Sequence, residues 1–503
     1  MPSDKPSEMP SPSFRLPVGE PGASAALDEQ TWADLDMDAV CAHIDRCVST
    51  PGWLVFRQML CTPTMSPDTV AARNELIAAL APGSPAVQGL RAPIERLGRV
   101  AGAEDLARLL WEEPPSPLPH AWLHRVLTLL AVLSLLPALA LGHVWVFAPF
   151  AAFAVNGAIH FRTRVQWQWE IQALRFVGAL RACARRIVAH PVPAISEQQN
   201  GLTRALNRSN PITRRLTLLS GGEAKDLLYE YLNAFLLLEL RAYQATVRRW
   251  REATPSLRDL FLTIGELDAL AAVARWRSEL PVWCPPEWDA GTPRIQIDEG
   301  VHPLIADPVP NSLTLASRGC LVTGANMSGK STLLRIVGIN ALLAQSIATC
   351  TARRYQATPL RVISSMRVGD ALVEGKSRYL AEAERLLALV RQADSGTPTL
   401  CLVDELLSGT NASERLAASQ AILSHLVQRG TLVLAATHDL ELTEHLAGRY
   451  DSCFFADDFA RDDLRFDHRL RQGVATTRNA IRLLERLGYP EEIVRQARAS
   501  QAT

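Results

Sequence analysis

The chain has 503 residues, 48% of them hydrophobic, and balances 52 basic against 52 acidic side chains. That is ample material for two or three domains with sizeable cores. Nine cysteines, an odd number with no C-x-x-C pair, argue for a reducing compartment and against a disulfide scaffold or structural zinc.

Residues 1–28 read as a disordered tail, because Met1 to Ala26 is rich in Pro, Ser and Gly and lacks the apolar run of a cleaved signal. Helical patterns then dominate from Leu35 to Leu280. They divide into a helical region 29–122, an apolar segment 123–161 and a second helical region 162–285. Within the apolar segment, Val126 to Ile159 is 34 residues without Asp, Glu, Lys or Arg, broken at Gly142-His143 into two stretches of 16. Each would be about 24 Å long as a helix, short of a ~30 Å hydrocarbon core unless its ends extend and arginines snorkel. As a pair they read as a transmembrane hairpin. Arg125 precedes the first stretch, and Arg162 and Arg164 follow the second, so both ends stay on the positive, cytoplasmic side. The competing reading is a buried helical hairpin in a soluble core, which Pro137, Pro149 and Asn156 favour.

From His160 to Arg215 ten arginines stand against Glu170 and Glu197 alone. Such a stripe binds phosphate backbones, binds anionic lipid headgroups, or sets topology, and the last two follow most directly from a hairpin. Leu227 to Leu240 carries Glu230 and Glu239 and reads as a core helix rather than a span. Pro281 to Pro293 reads as the linker into a last domain, 286–503.

That domain carries the chemistry. Gly324 to Ser331 reads GANMSGKS, preceded by the short apolar strand Cys320 to Thr323 and followed by a helical run from Thr332 to Leu343. In a strand–G-x-x-x-x-G-K-S–helix unit the glycines turn backbone N–H groups toward phosphate oxygens at the positive end of a helix. Lys330 would reach the β- and γ-phosphates of ATP, and the Ser331 hydroxyl would ligate Mg²⁺. Gly324, Ala325, Asn326, Met327, Ser328, Gly329, Lys330, Ser331 and Thr332 are the expected nucleotide contacts. A second apolar strand, Thr399 to Glu405, ends in two carboxylates 74 residues beyond Lys330. Asp404 would hold Mg²⁺ through water, and Glu405 would polarise the attacking water. A third, Thr431 to Ala436, ends in Thr437-His438-Asp439, where His438 could sense a γ-phosphate or be an ordinary surface histidine.

Together GANMSGKSTLLR, the run Leu402 to Asn411, the run Ala436 to Thr443 and the approach His302 to Leu315 resemble the ATPase domain of the MutS family, over roughly Val301 to Ala497. The resemblance implies an α/β P-loop ATPase domain, a mostly parallel sheet with flanking helices, after an all-α core and lever. It makes Glu405, His438 and Lys330 the catalytic set, with His438 as the switch histidine and Ser408 to Asn411 following the second motif. Asp370 to Glu384 is similar to a stretch whose serine, here Ser377, reaches a partner's nucleotide, so a homodimer is expected. The tail from Gly473 resembles helices that pack in that dimer. One departure stands out: where the family has an aromatic residue stacking on adenine, Pro308 to Asn311 offers none.

Asp34 to Leu80 and Ile264 to Ala274 look like the start and return of the family's helical core. None of the 13 phenylalanines is followed two places later by Glu, so no Phe-x-Glu mismatch wedge is expected, nor is an appended nuclease domain. An LSGGQ-like signature of ABC transporters and the long heptad arm of SMC proteins are also missing from the sequence. The expectation is therefore a dimeric ATPase in the inner (cytoplasmic) membrane, in contact with membrane lipid and with its ATPase domain in the cytoplasm. The alternative is a cytoplasmic, DNA-binding clamp of DNA repair or recombination.

Overall fold

The structure is a computed structural model that describes residues 16, 26–140, 143–210, 227–325, 327–366, 378–407, 409–460, 463–474 and 488–501. It divides into two compact units whose segments interleave along the chain. One consists mainly of Asp45–Gln58 and Leu76–Ser278, the other of Glu20–Ile44, Met59–Glu75 and Glu279–Thr503. The expected partition was linear, and it differs at the two N-terminal segments that fold with the last domain.

Among its described residues the first unit contains helices joined by loops and turns, and no strand. Helix Gln168–Val188 buries Leu174, Val177, Leu180, Ala184 and Ile187 at helical spacing and leaves Arg185 and Arg186 exposed, the pattern of a helix with one apolar face. It packs along Ala101–Trp111. The 30-residue helix Trp250–Glu279 buries Asp268, whose carboxylate accepts from the Val48 N–H at 3.2 Å, the Ser49 N–H at 2.9 Å and the Ser49 hydroxyl at 2.6 Å. Gly265 permits this approach, since a Cβ there would lie 2.6 Å from the Pro51 carbonyl oxygen.

The apolar segment forms helices Ala121–Leu133, Leu135–Ala140 and Phe147–Gln166 with a short turn at His143–Val146. Its two halves are not equivalent. Among the described residues, Ala121–Ala140, with a mean hydropathy of 1.9, is the one helix long and apolar enough to cross a membrane. Asn156 donates to the Phe235 carbonyl at 2.7 Å and Thr128 to the Leu236 carbonyl at 3.0 Å. These carbonyls belong to helix Leu227–Leu236, which breaks where Leu237 takes a left-handed φ of 49°. The single core helix expected there is thus two, and the carbonyls freed by the break are taken up by side chains of the hairpin. Much of the rest of the hairpin faces outward, with Leu139 86% and Phe147 74% exposed.

The second unit is α/β. Its strands are β1 (Glu287–Trp288), β2 (Ile295–Gly300), β3 (Asn311–Leu315), β4 (Gly319–Thr323), β5 (Arg354–Ala357), β6 (Arg361–Ser365), β7 (Thr399–Asp404), β8 (Leu432–Ala436), β9 (Tyr450–Ala460) and β10 (Asp463–Gln472). Six of them form one sheet in the order β6-β7-β8-β4-β9-β10, parallel except for β10. β4 and β8 are buried along their whole length, as parallel strands covered on both faces must be. A smaller sheet runs β1-β5-β2-β3.

The N-terminal segment is bonded into this unit. Asp34 accepts from the Ser364 hydroxyl at 2.6 Å and the Met366 N–H at 3.0 Å, and its carbonyl accepts from Arg335 at 3.0 Å.

Candidate nucleotide site

Because β4, β8 and β7 are neighbours in a parallel sheet, the segments leaving their carboxyl ends converge, the usual place for a ligand in such a sheet. The loop after β4 turns at Gly324 (φ 142°), Met327 (φ 68°) and Gly329 (φ 118°), and Gly329 caps helix Lys330–Ile347. A side chain at Gly324 would meet the Ser328 hydroxyl at 2.9 Å and the Phe455 carbonyl at 3.0 Å, so both space and backbone call for glycine.

Lys330 folds back over this loop. Its ammonium donates to the Gly324 carbonyl at 2.8 Å and the Ala325 carbonyl at 2.9 Å. Ser331, one residue on, donates to Asp404 at 2.5 Å. Burial pushes the Asp404 carboxyl above its ordinary range, the Ser331 bond opposes this, Glu405 adds to it, and Lys330 and Arg335 pull the other way. Glu405 sits in a left-handed conformation (φ 55°), with its N–H bonded to the Ala436 carbonyl at 3.0 Å. His438 follows β8, and its Nε2 lies 2.8 Å from Glu405 and 3.4 Å from the Lys330 ammonium. A single ring nitrogen near both groups is best used as an N–H donor to the carboxylate, since an ammonium cannot accept.

These groups adjoin a cavity of about 370 Å³ whose lining includes Met327, Lys330, Ser331, Thr332, Asp404 and Glu405. Its remaining walls come from residues that the motifs do not mark. Ile305, Pro308 and Val309 supply apolar surface, and His302, Phe455 and His468 supply rings. Burial and the nearby Arg335 hold His302 down at about 4, so it is neutral at physiological pH, with Nδ1 accepting the Leu304 N–H at 3.2 Å. His468 is the residue the sequence reading missed. It lies on β10 at a register irregularity, and its Nδ1 is 3.0 Å from the Ser328 carbonyl oxygen. Phe455 of β9 and His468 of β10 thus bring rings to the lining, and nothing in motif spacing points to either strand.

Of the expected site residues, the structure brings together Gly324, Ala325, Met327, Ser328, Gly329, Lys330, Ser331, Thr332, Asp404, Glu405 and His438. Asn326, Ser377 and Ser408 lie outside the described residues, as does the whole stretch from Asp370 to Ser377.

Comparison with known proteins finds similarity in the segment that holds the site. Residues 320–503 match the family model described as MutS domain V. The DNA mismatch repair protein MutS of Thermus thermophilus is 32% identical over 294 residues, which cover 57% of this chain and 35% of that protein. An endonuclease MutS2 of Thermus thermophilus is 34% identical over 239 residues, covering 47% of this chain and 31% of that protein. The DNA mismatch repair protein MutS of Natronomonas pharaonis is 30% identical over 271 residues, 52% of this chain and 31% of that protein. The chain spans about a third of the length of these relatives. The segment 320–503, which holds most of the residues around this cavity, is thus similar to domain V of MutS proteins.

Proposed function

We propose that the chain binds and hydrolyses ATP at the cavity between β4, β7 and β8. The observation that carries this reading is the juxtaposition of Lys330, Ser331, Asp404, Glu405 and His438 around one glycine-turned loop at a helix N-terminus. The Lys330 ammonium, now held by two loop carbonyls, would exchange them for phosphate oxygens, as would the loop N–H groups. Asp404 and Ser331 suit Mg²⁺: a buried carboxylate pushed toward its neutral form gains from a cation, and Mg²⁺ takes one or two carboxylates plus substrate phosphates rather than an all-protein cage. Bound there, the ion would neutralise charge on the phosphates. Glu405 would orient and polarise the attacking water, and the His438 N–H would hold Glu405 in place. Lys330→Ala tests the assignment. Fluorescent-ATP binding and phosphate release should both be lost, and wild-type affinity in this variant would refute it.

The resemblance around Ser377 supports a homodimer with two composite sites. A second reading concerns where the dimer works. The exposed apolar surface of the hairpin, Leu129, Leu136, Leu139, Phe147, Phe150 and Phe161, far exceeds scattered surface apolarity and marks an interaction face. Trp122, Arg125, Arg162 and Trp169, near the two ends of this segment in sequence, are all exposed, the composition of a membrane–water interface. We read this face as lipid-contacting, with the ATPase on the cytoplasmic side of the inner membrane. The relatives named for DNA mismatch repair favour DNA contact instead. Flotation with liposomes against DNA binding at varied salt separates the two, since phosphate-backbone binding falls steeply with salt.

A further inference from the structure

His468 reaches the cavity only because β10 is irregular. The pairing of β10 with β9 shifts between Phe466 and Leu470, so Asp467, His468 and Arg469 stand outside the ladder, and His468 takes a left-handed φ of 51°. Residues released from a ladder leave backbone polar groups that need other partners. Two side chains supply such partners: Asp467, inside the bulge, accepts the Arg469 N–H at 3.0 Å, and the other is Asn311. Asn311, the first residue of β3 and 9% exposed, donates from Nδ2 to the His468 carbonyl at 3.0 Å and accepts the Leu470 N–H on Oδ1 at 2.7 Å. The same Nδ2 donates to the Val309 carbonyl at 3.2 Å. Val309 and Asn311 also line the cavity.

From the bulge the chain of contacts runs into the phosphate-loop segment. The His468 ring is bonded to the Ser328 carbonyl, and its Nδ1 lies 3.6 Å from where a Cβ on Gly329 would stand. The ring is therefore packed on the residue that caps helix Lys330–Ile347.

We propose that Asn311 is a positioning residue of the nucleotide site, acting through His468: it fixes the bulge that sets the ring against the loop, and so sets nucleotide affinity. This rests on the reading of the cavity as an ATP site. Asparagine suits the task because it offers a donor and an acceptor on one planar group, matched to the carbonyl of residue 468 and the N–H of residue 470. Aspartate has the same shape but would turn a second acceptor toward the carbonyls of His468 and Val309, leaving buried groups unsatisfied. The side chain touches neither Glu405 nor His438, so its loss falls on binding rather than on chemistry.

The test is a double-variant cycle on the full chain, with ATP as probe. Asn311→Asp should raise the Kd and KM for ATP about tenfold while kcat at saturation stays within about twofold. His468→Ala should weaken ATP by a similar factor, and the double variant should be no worse than His468→Ala alone, because both act through one contact. Asn311→Ser, which keeps a polar group without the added charge, serves as the second variant if Asn311→Asp fails to fold, and it should show the same non-additivity. Additive losses, or an unchanged Kd in the folded variants, would overturn the proposal while leaving the nucleotide reading intact. If the wild-type chain itself binds no ATP, the nucleotide reading falls first.

Discussion

Both units bury carboxylates, and burial moves them in the same direction, yet they do different things. In the helical unit Asp268 is pushed up to about 6 by burial and spends its acceptor capacity on Val48 and Ser49. Glu170, pushed up to about 7 by burial, is bonded to the Tyr243 hydroxyl, which also contacts the Ser116 carbonyl at 2.8 Å. In the nucleotide domain Asp404 is shifted by the same cause, but it faces a hydroxyl, a cavity and, across Glu405, a histidine and an ammonium. A raised carboxyl thus records burial in all three cases. What separates a site from a structural bond is whether the partners open onto space that a ligand can enter.

The contrast is sharpest in variants. Glu405→Gln should cut ATP turnover by at least about 100-fold while ATP still binds, a trapped state visible as retained nucleotide after gel filtration. Wild-type turnover in that variant would remove Glu405 from the mechanism. On the helical side, Leu133→Lys and Ala151→Lys place charge on exposed positions of the hairpin. In lipid each would cost about 2.5–3.5 kcal/mol and move the protein from the membrane fraction to the supernatant or to degradation. In water each is nearly neutral, so unchanged fractionation and melting would end the lipid reading.

Assembly gives a smaller effect. If Ser377 completes a partner's site, Ser377→Ala should lower turnover about tenfold with binding kept, and mixing it with Lys330→Ala chains should restore part of the activity. No rescue in dimers shown to be mixed would argue for sites built within one chain. The smallest effect concerns Glu170. Its folded pKa of about 7 lies above the ordinary 4.5, so its stabilising contribution is complete below about pH 4.5 and is lost as pH rises through about 7. Glu170→Gln should flatten that part of the melting-temperature profile; an unchanged slope would place the titration elsewhere.

The sequence made the nucleotide loop readable because its chemistry constrains residue type and spacing together: Gly324, Gly329, Lys330 and Ser331 each answer a geometric demand. Asp404 and His438 were readable for the related reason that both follow apolar strands, which the sheet order then places side by side. His468 was not readable, since its approach depends on a bulge held by Asn311, 157 residues away; Asn311 lies in the run His302 to Leu315, but His468 belongs to no motif. The break at Leu237 escaped for a similar reason. Its support comes from Thr128 and Asn156, polar positions that within an apolar run look only like interruptions.

The contact between Asp34 and Ser364 bridges 330 residues of chain. At ~5–20 residues per second, synthesis reaches Ser364 roughly a quarter of a minute to a minute after Asp34 has been made. Through that interval helix Glu29–Asp34 has made neither this bond nor those of Thr31 with the Ser364 N–H and Arg385. The domain thus gains these bonds only when chain 330 residues beyond Asp34 has been made. A fragment started at the Pro281 linker, although it would hold every motif, should expose the Ser364 hydroxyl and Arg385 to water and prove less soluble than the whole chain.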